Sequence, residues 1–291
     1  MSTYQHPMTP PPAPVPQPVA PAASGPQPPR PGRATWITVT TAVIGGLSLA
    51  VAGTTAAFAA SGDLSRGESV QRIDATGAEG VDLDASASEV RVVFGDVDEA
   101  ELSVRGDGAG AWTLDRHDDE IVVRSPDTVF GWWFGRWFDD ERSVVLTLPR
   151  ELEGIDGSFV LNAGSLDVSG EYGELDLEVA AGGLVVDGSA TSLDADVSAG
   201  RADVTLDGVQ EAELTVSAGD LRVELTGTAP RETSIEASAG SAEITLPDDG
   251  YVITQEVSGG TLDNRLGQSA GARNSIDVTL TAGEVALRPG S

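Results

Sequence analysis

From residue 70 onward, apolar and polar side chains alternate with period two, the spacing of a strand with one buried face. Val81-Asp82-Leu83-Asp84, Val90-Arg91-Val92-Val93-Phe94, Glu101-Leu102-Ser103-Val104-Arg105 and Ile121-Val122-Val123-Arg124 follow it. Ser143-Val144-Val145-Leu146-Thr147-Leu148-Pro149 predicts a further strand, stopped by its proline. No segment after residue 60 carries the 3.6-residue period of a helix. The expected fold class is all-β.

From about residue 158 one motif recurs, in copies such as FVLNAGSLDV, LTVSAGDLRVEL and VTLTAGEVAL. Its glycines are Gly164, Gly182, Gly200, Gly219, Gly240, Gly260 and Gly283, at intervals of 18, 18, 19, 21, 20 and 23 residues. Around Gly219 the apolar set is Ala212, Leu214, Val216 and Ala218, then Leu221, Val223 and Leu225. The step from Ala218 to Leu221 is three, so the inward parity shifts at Gly219-Asp220. A continuous strand cannot do that and keep the same residues buried; a corner can. Glycine supplies unusual backbone there, and the alanine before it is expected inside the bend.

All-β repeats of this length predict stacked coils, because one coil cannot bury enough apolar surface to fold alone. The reading is a single-chain β-solenoid, β-helix-like, about 34 Å long for seven coils at ~4.8 Å each. Alternation over five or more residues on each side of the corner disfavours a hexapeptide helix. A propeller blade would need about 40 residues. The sixth copy places Gln255 and Asn264 at positions that should be buried, so distortion is expected there. Asp84-Ala85-Ser86-Ala87-Ser88-Glu89-Val90 resembles the motif without its glycine and reads as a first coil. The stretch between it and Gly164 is expected to form or cover the N-terminal end, since a bare sheet edge templates aggregation.

The N-terminal quarter is different. Residues 1–35 hold twelve of the seventeen prolines and no acidic residue, which predicts a disordered, polyproline-like tail. Its Pro11-Ala13-Pro14 spacing also suits an aromatic-groove partner, although such spacing is inevitable in a proline-rich tail. Residues 36–60 carry no charge, long enough for one transmembrane helix. Arg30 and Arg33 precede this run and Asp63 is the first charge after it. The positive-inside rule puts the tail in the cytoplasm and residues 70–291 outside, after a linker at 61–69. The competing reading is a cleaved signal peptide, for which Ala57-Phe58-Ala59 offers small residues. The apolar run exceeds a usual signal core, which favours a retained anchor in the cell membrane.

Composition narrows the chemistry. The net charge is −29, from 46 acidic and 17 basic residues, and every basic residue is arginine. Such a surface repels nucleic acid and suits divalent cations or basic partners. With no cysteine there is no disulfide, thiol nucleophile or thiolate-bound metal.

At Ser143-Val144-Val145-Leu146-Thr147-Leu148-Pro149, followed by repeated V-S-A-G-x-x-x-V, the chain resembles the bacterial DUF4097 family of adhesin-like proteins, over about residues 70–287. The resemblance implies an exported or membrane-anchored β-solenoid of the cell envelope. It brings no catalytic residues or cofactor.

Three site candidates follow. His117 with Asp118 and Asp119 offers metal-ligating types, but the segment reads as a solvated hairpin turn. Asp176, Glu178, Asp194, Asp196, Asp203 and Glu213 are all predicted outward. Stacking would line several into an acidic ladder, which is either a solvated face or a Ca²⁺ chelator, though its spacing matches no EF-hand or nonapeptide motif. The third is an aromatic cluster, Phe130, Trp132, Trp133, Phe134, Trp137 and Phe138, holding six of the fourteen aromatics. It is expected either to plug the open N-terminal core or to form an exposed interaction patch. The function expected is a non-catalytic, membrane-anchored envelope scaffold touching glycan or protein. An accessory subunit of a membrane complex and a glycan-active enzyme are the alternatives.

Overall fold

A computed structural model describes residues 67–86, 88–106, 109–126 and 143–290, all within one compact unit, Ala60–Ser291. The expected tail and membrane helix, and the aromatic cluster at 130–138, lie outside the described residues. Among the described residues no helix is long and apolar enough to cross a membrane.

The described chain is all-β, as the alternation requires. Its first strands are β1 (Glu68–Ile73), β2 (Gly80–Ala85), β3 (Ser88–Gly95), β4 (Ala100–Arg105), β5 (Thr113–His117), β6 (Glu120–Arg124) and β7 (Ser143–Pro149). The repeats supply β8 (Asp156–Leu161), β9 (Gly164–Val179), β10 (Gly183–Val197), β11 (Arg201–Asp207), β12 (Glu211–Val216) and β13 (Asp220–Thr226). They continue as β14 (Glu232–Ala237), β15 (Ser241–Leu246), β16 (Val252–Val257), β17 (Thr261–Asn264), β18 (Ser275–Leu280) and β19 (Glu284–Pro289).

These strands make two ladders. The first face runs β1-β4-β7-β3-β9-β10-β11-β13-β15-β19-β17. The second runs β5-β6-β2-β8-β9-β10-β12-β14-β18-β16. β9 and β10 serve both faces, their first halves in one and their second halves in the other. The pairings are parallel except at the N-terminal end, where β4, β1 and β5 are antiparallel to their neighbours. One coil is therefore a second-face strand, a glycine corner and a first-face strand. Inward side chains of both faces, such as Leu214 and Val216 with Leu221 and Val223, meet in one buried core.

The corner itself departs from expectation. Ala218 is exposed and Gly219 is buried. A Cβ on Gly219 would stand 2.5 Å from the carbonyl oxygen of Gly200 and 2.6 Å from a methyl of Val197. The alanine thus points to solvent, and the glycine faces the coil before it. The backbone is left-handed at Gly164, Gly182, Gly260 and Gly283 but not at Gly200, Gly219 or Gly240. Room for close stacking is the requirement that all seven share, more than an unusual φ.

Both ends are stacked out of chain order. At the N-terminal end β2 and β3 form the glycine-less coil, and β6 and β7, which follow them in sequence, stack on its outer side. Gln71 of β1 then ties the two faces together. Its side-chain amide donates to the Trp112 carbonyl at 2.7 Å, and its oxygen accepts the Leu114 N–H at 3.3 Å. At the C-terminal end the last repeat, β18 and β19, stacks directly on the fifth, β14 and β15. The sixth, β16 and β17, lies outside it. The polar residues of the sixth copy thus mark a terminal coil, not a distorted internal one. Gln255 is exposed, and the Asn264 side chain accepts the Leu266 N–H at 2.9 Å. Tyr251, fully buried, donates its hydroxyl to the Pro247 carbonyl at 2.7 Å.

Candidate functional site

Parallel stacking in register lines up identical positions of successive coils, so outward residues form rows along the second face. One row reads Asp82, Ser158, Asp176, Asp194, Glu213 and Ser234. The next holds Glu178, Asp196, Thr215 and Glu236. The outward placement expected for these carboxylates holds, except that Asp196 is half-buried with one oxygen covered and without a hydrogen-bond partner, and the stacking brings five of the six named residues onto one face. Asp203 lies on the other.

Crowding perturbs the row. Partial burial, then the charges of Glu213, Asp176, Asp196 and Glu174, push the Asp194 carboxyl up to about 6. Burial and Asp156 raise Asp176; burial, Asp176 and Asp156 raise Glu174. Near the N-terminal end, Glu120, Asp156, Ser158, Glu174 and Asp176 line a shallow depression of about 220 Å³. Arg124 pairs with Asp82 at 3.2 Å and its charge also reaches Glu120, whose carboxyl is nevertheless pushed up by burial and Asp82.

The first face has a different character. Arg222 lies between Asp203 at 3.0 Å and Glu243 at 3.3 Å. Arg201 reaches Asp220 at 3.5 Å, and Asp263 meets Arg288 at 2.9 Å and Arg265 at 3.1 Å. The Ser241 hydroxyl and then Arg201 hold the Asp220 carboxyl below its usual range, and Arg265 does the same for Asp263. A depression of about 300 Å³ lies among Arg222, Glu243, Glu284 and Arg288, floored by Ala286. One face is thus an arginine–carboxylate mosaic, while the other leaves most of its acids unneutralised.

His117 ends β5 at a tight turn in which Asp118 has a left-handed φ of 55°. Arg116 holds this turn, donating to the carbonyls of Asp118, Asp74 and Thr76 at 2.9–3.0 Å. Among the described residues no group of three or more His, Asp or Glu side chains is arranged to hold a metal ion. The aromatic residues Phe130, Trp132, Trp133, Phe134, Trp137 and Phe138 lie outside the described residues. Their segment joins the end of β6 on the second face to the start of β7 on the first. In the repeats that junction is a short glycine corner.

Two buried groups carried no sequence signal. The Tyr172 ring packs against Phe94 at 5.5 Å and Phe159 at 5.7 Å, and its hydroxyl has no hydrogen-bond partner. Burial raises the pKa of that phenol, because the apolar surroundings disfavour the phenolate. Thr233, fully buried, also leaves its hydroxyl without a partner. Both stand where the repeat pattern asks only for an inward side chain.

A family model described as Toastrack DUF4097 matches residues 78–288. No curated protein matches the chain. Among solved structures, a candidate adhesin from Bacteroides fragilis is 19% identical with a TM-score of 0.47, over 77% of this chain and 98% of that one. A candidate lipid binding protein from Parabacteroides distasonis is 13% identical with a TM-score of 0.43, over 75% and 97%. A candidate cell adhesion protein from Clostridium sporogenes is 14% identical with a TM-score of 0.34, over 77% and 99%.

Proposed function

The chain belongs to the Toastrack DUF4097 family, and from that premise we propose that it is a non-catalytic, adhesin-like scaffold of the cell envelope, anchored in the membrane through residues 36–60. The observation that carries the non-catalytic reading is the disposition of the carboxylates. They repeat along a flat face at the coil spacing. Those that do meet, Glu120, Asp156, Glu174 and Asp176, line only a shallow depression, and among the described residues no deeper cleft encloses a carboxyl pair as glycoside hydrolysis needs. The face best suited to a partner is the second, where among the described residues most acids have no arginine beside them, Asp82 with Arg124 being an exception. Its field favours a cationic partner and weakens with salt.

The test uses the intact chain in membranes, incubated with envelope fractions at low and high salt. Retention of a cationic component at low salt, lost at high salt and lost in the triple variant Asp176→Asn, Asp194→Asn, Glu213→Gln, is the expected result. Retention of no component at any ionic strength would overturn the scaffold reading. The anchor is tested separately by protease added to intact cells: residues 70–291 are expected to be cut and residues 1–35 protected.

A further inference from the structure

The connections that return the chain from the first face to the second are short after β11, β13 and β15: residues 208–210, 227–231 and 247–251. After β17 the return takes residues 265–274. Along the stack it moves the chain by a single coil, about 4.8 Å, and it crosses between the faces as the three residues after β11 do, whereas ten residues extend to about 33 Å. The beginning of this loop is pinned: Leu266 is buried, and Tyr251 exchanges backbone hydrogen bonds with Gly267 and Ser269 at 2.9 and 3.0 Å. Beyond Ser269 it makes one turn, the Ala272 N–H donating to the Ser269 carbonyl at 3.0 Å, and the Asn274 carbonyl accepts the Val252 N–H at 2.9 Å. Ala270, Gly271 and Arg273 are exposed, and a Cβ on Gly271 would meet nothing within 4 Å.

This loop carries the last coil into a slot. The fifth repeat forms one wall through β14 and β15, and the sixth forms the other through β16 and β17. Ile276, Val278, Leu280, Val285 and Leu287 are buried when the slot is filled. Among the described residues the sixth repeat has no other ladder partner than this coil. The slot is therefore apolar, has unpaired ladder groups on both walls when empty, and is filled in register by the last coil.

We propose that this slot is an interaction surface for a second copy of the chain. The last coil of one molecule seats between the fifth and sixth repeats of another, and the exchange is reciprocal. Every ladder pairing of the closed monomer is preserved in the exchanged pair, so the two forms differ only in the path of the loop and the entropy of association. Concentration during folding then decides between them. The length of the loop, ten residues where three suffice after β11, makes either path open to the chain.

The absence of cysteine from the sequence gives a clean test. Ser234 of β14 and Asp277 of β18 stand opposite each other on the outer surface, both exposed, a pairing suited to a disulfide. The double variant Ser234→Cys, Asp277→Cys is oxidised first, to establish that the pair closes within one molecule. The two single variants, one carrying a mass tag, are then unfolded together, refolded together and oxidised. A mixed disulfide-linked dimer is expected, its share rising with protein concentration. It should fall at least tenfold when each variant refolds alone before mixing. Closure of the double variant, with no mixed dimer above the level of self-paired Ser234→Cys chains at any concentration, overturns the proposal. If the double variant does not close, unmodified chains of two isotopic masses are refolded together and examined by native mass spectrometry. Mixed dimers support exchange, and monomers alone at every concentration overturn it.

Discussion

Asp194 stands in the second half of β10, directly between Asp176 of β9 and Glu213 of β12. Its carboxyl is pushed from 3.8 to about 6, first by burial and then by these neighbours. Taken at face value, a rise of that size corresponds to about 3 kcal/mol. The side chain is only half-buried, so solvent and counterions reduce the effective strain to about 1 kcal/mol. The sign follows from linkage. Between about pH 4 and pH 6 the folded chain holds a proton that the unfolded chain has lost, so stability falls as pH rises through this window. Below it both states are protonated, and above it the cost is constant. Asp194→Asn should therefore stabilise the protein by about 1 kcal/mol above pH 7 and leave it unchanged below pH 4. Urea denaturation of both proteins at pH 3.5, 5, 6 and 7.5 measures this as a shift in midpoint at constant slope. Half-molar salt should shrink the gain. An equal effect at all four pH values, or a loss of stability at pH 7.5, would refute the reasoning.

Gly219→Ala places a methyl against the Gly200 carbonyl and Val197. It should cost about 3 kcal/mol, whereas Gly183→Ala, with nothing within 4 Å of the new methyl, should stay within about 1 kcal/mol of wild type; equal thermal midpoints for the two variants would contradict the stacking argument. Thr233→Val removes a buried hydroxyl that has no partner and should stabilise by about 1 kcal/mol in chemical denaturation. A loss of stability there would mean that the hydroxyl is satisfied.

The strands and their inward faces were legible because alternation with period two is a local property. Leu214, Val216, Leu221 and Val223 announce which side is buried whatever lies above or below them. The corner glycines were equally plain as a repeat, but their reason was not. The sequence suggests backbone freedom and places Ala218 inside; contact with the preceding coil places Gly219 there instead. The carboxylates were visible as outward residues, yet their coupling depends on register between coils. Asp176, Asp194 and Glu213 are 18 and 19 residues apart in the chain and directly opposite in space.

By itself, then, the sequence determined an all-β chain of glycine-cornered coils with an acidic exterior, because burial pattern and charge are written residue by residue. Only the tertiary structure decided the order of the coils. A repeat carries no mark of which neighbour it will join, since each matches every other in register. What selects the order is the relative burial of whole coils. Ile276, Val278, Leu280, Val285 and Leu287 are best covered on both sides, while Gln255 and Asn264 are best left at an end. The last coil therefore lies inside the sixth, and the slot that results is a property of packing alone.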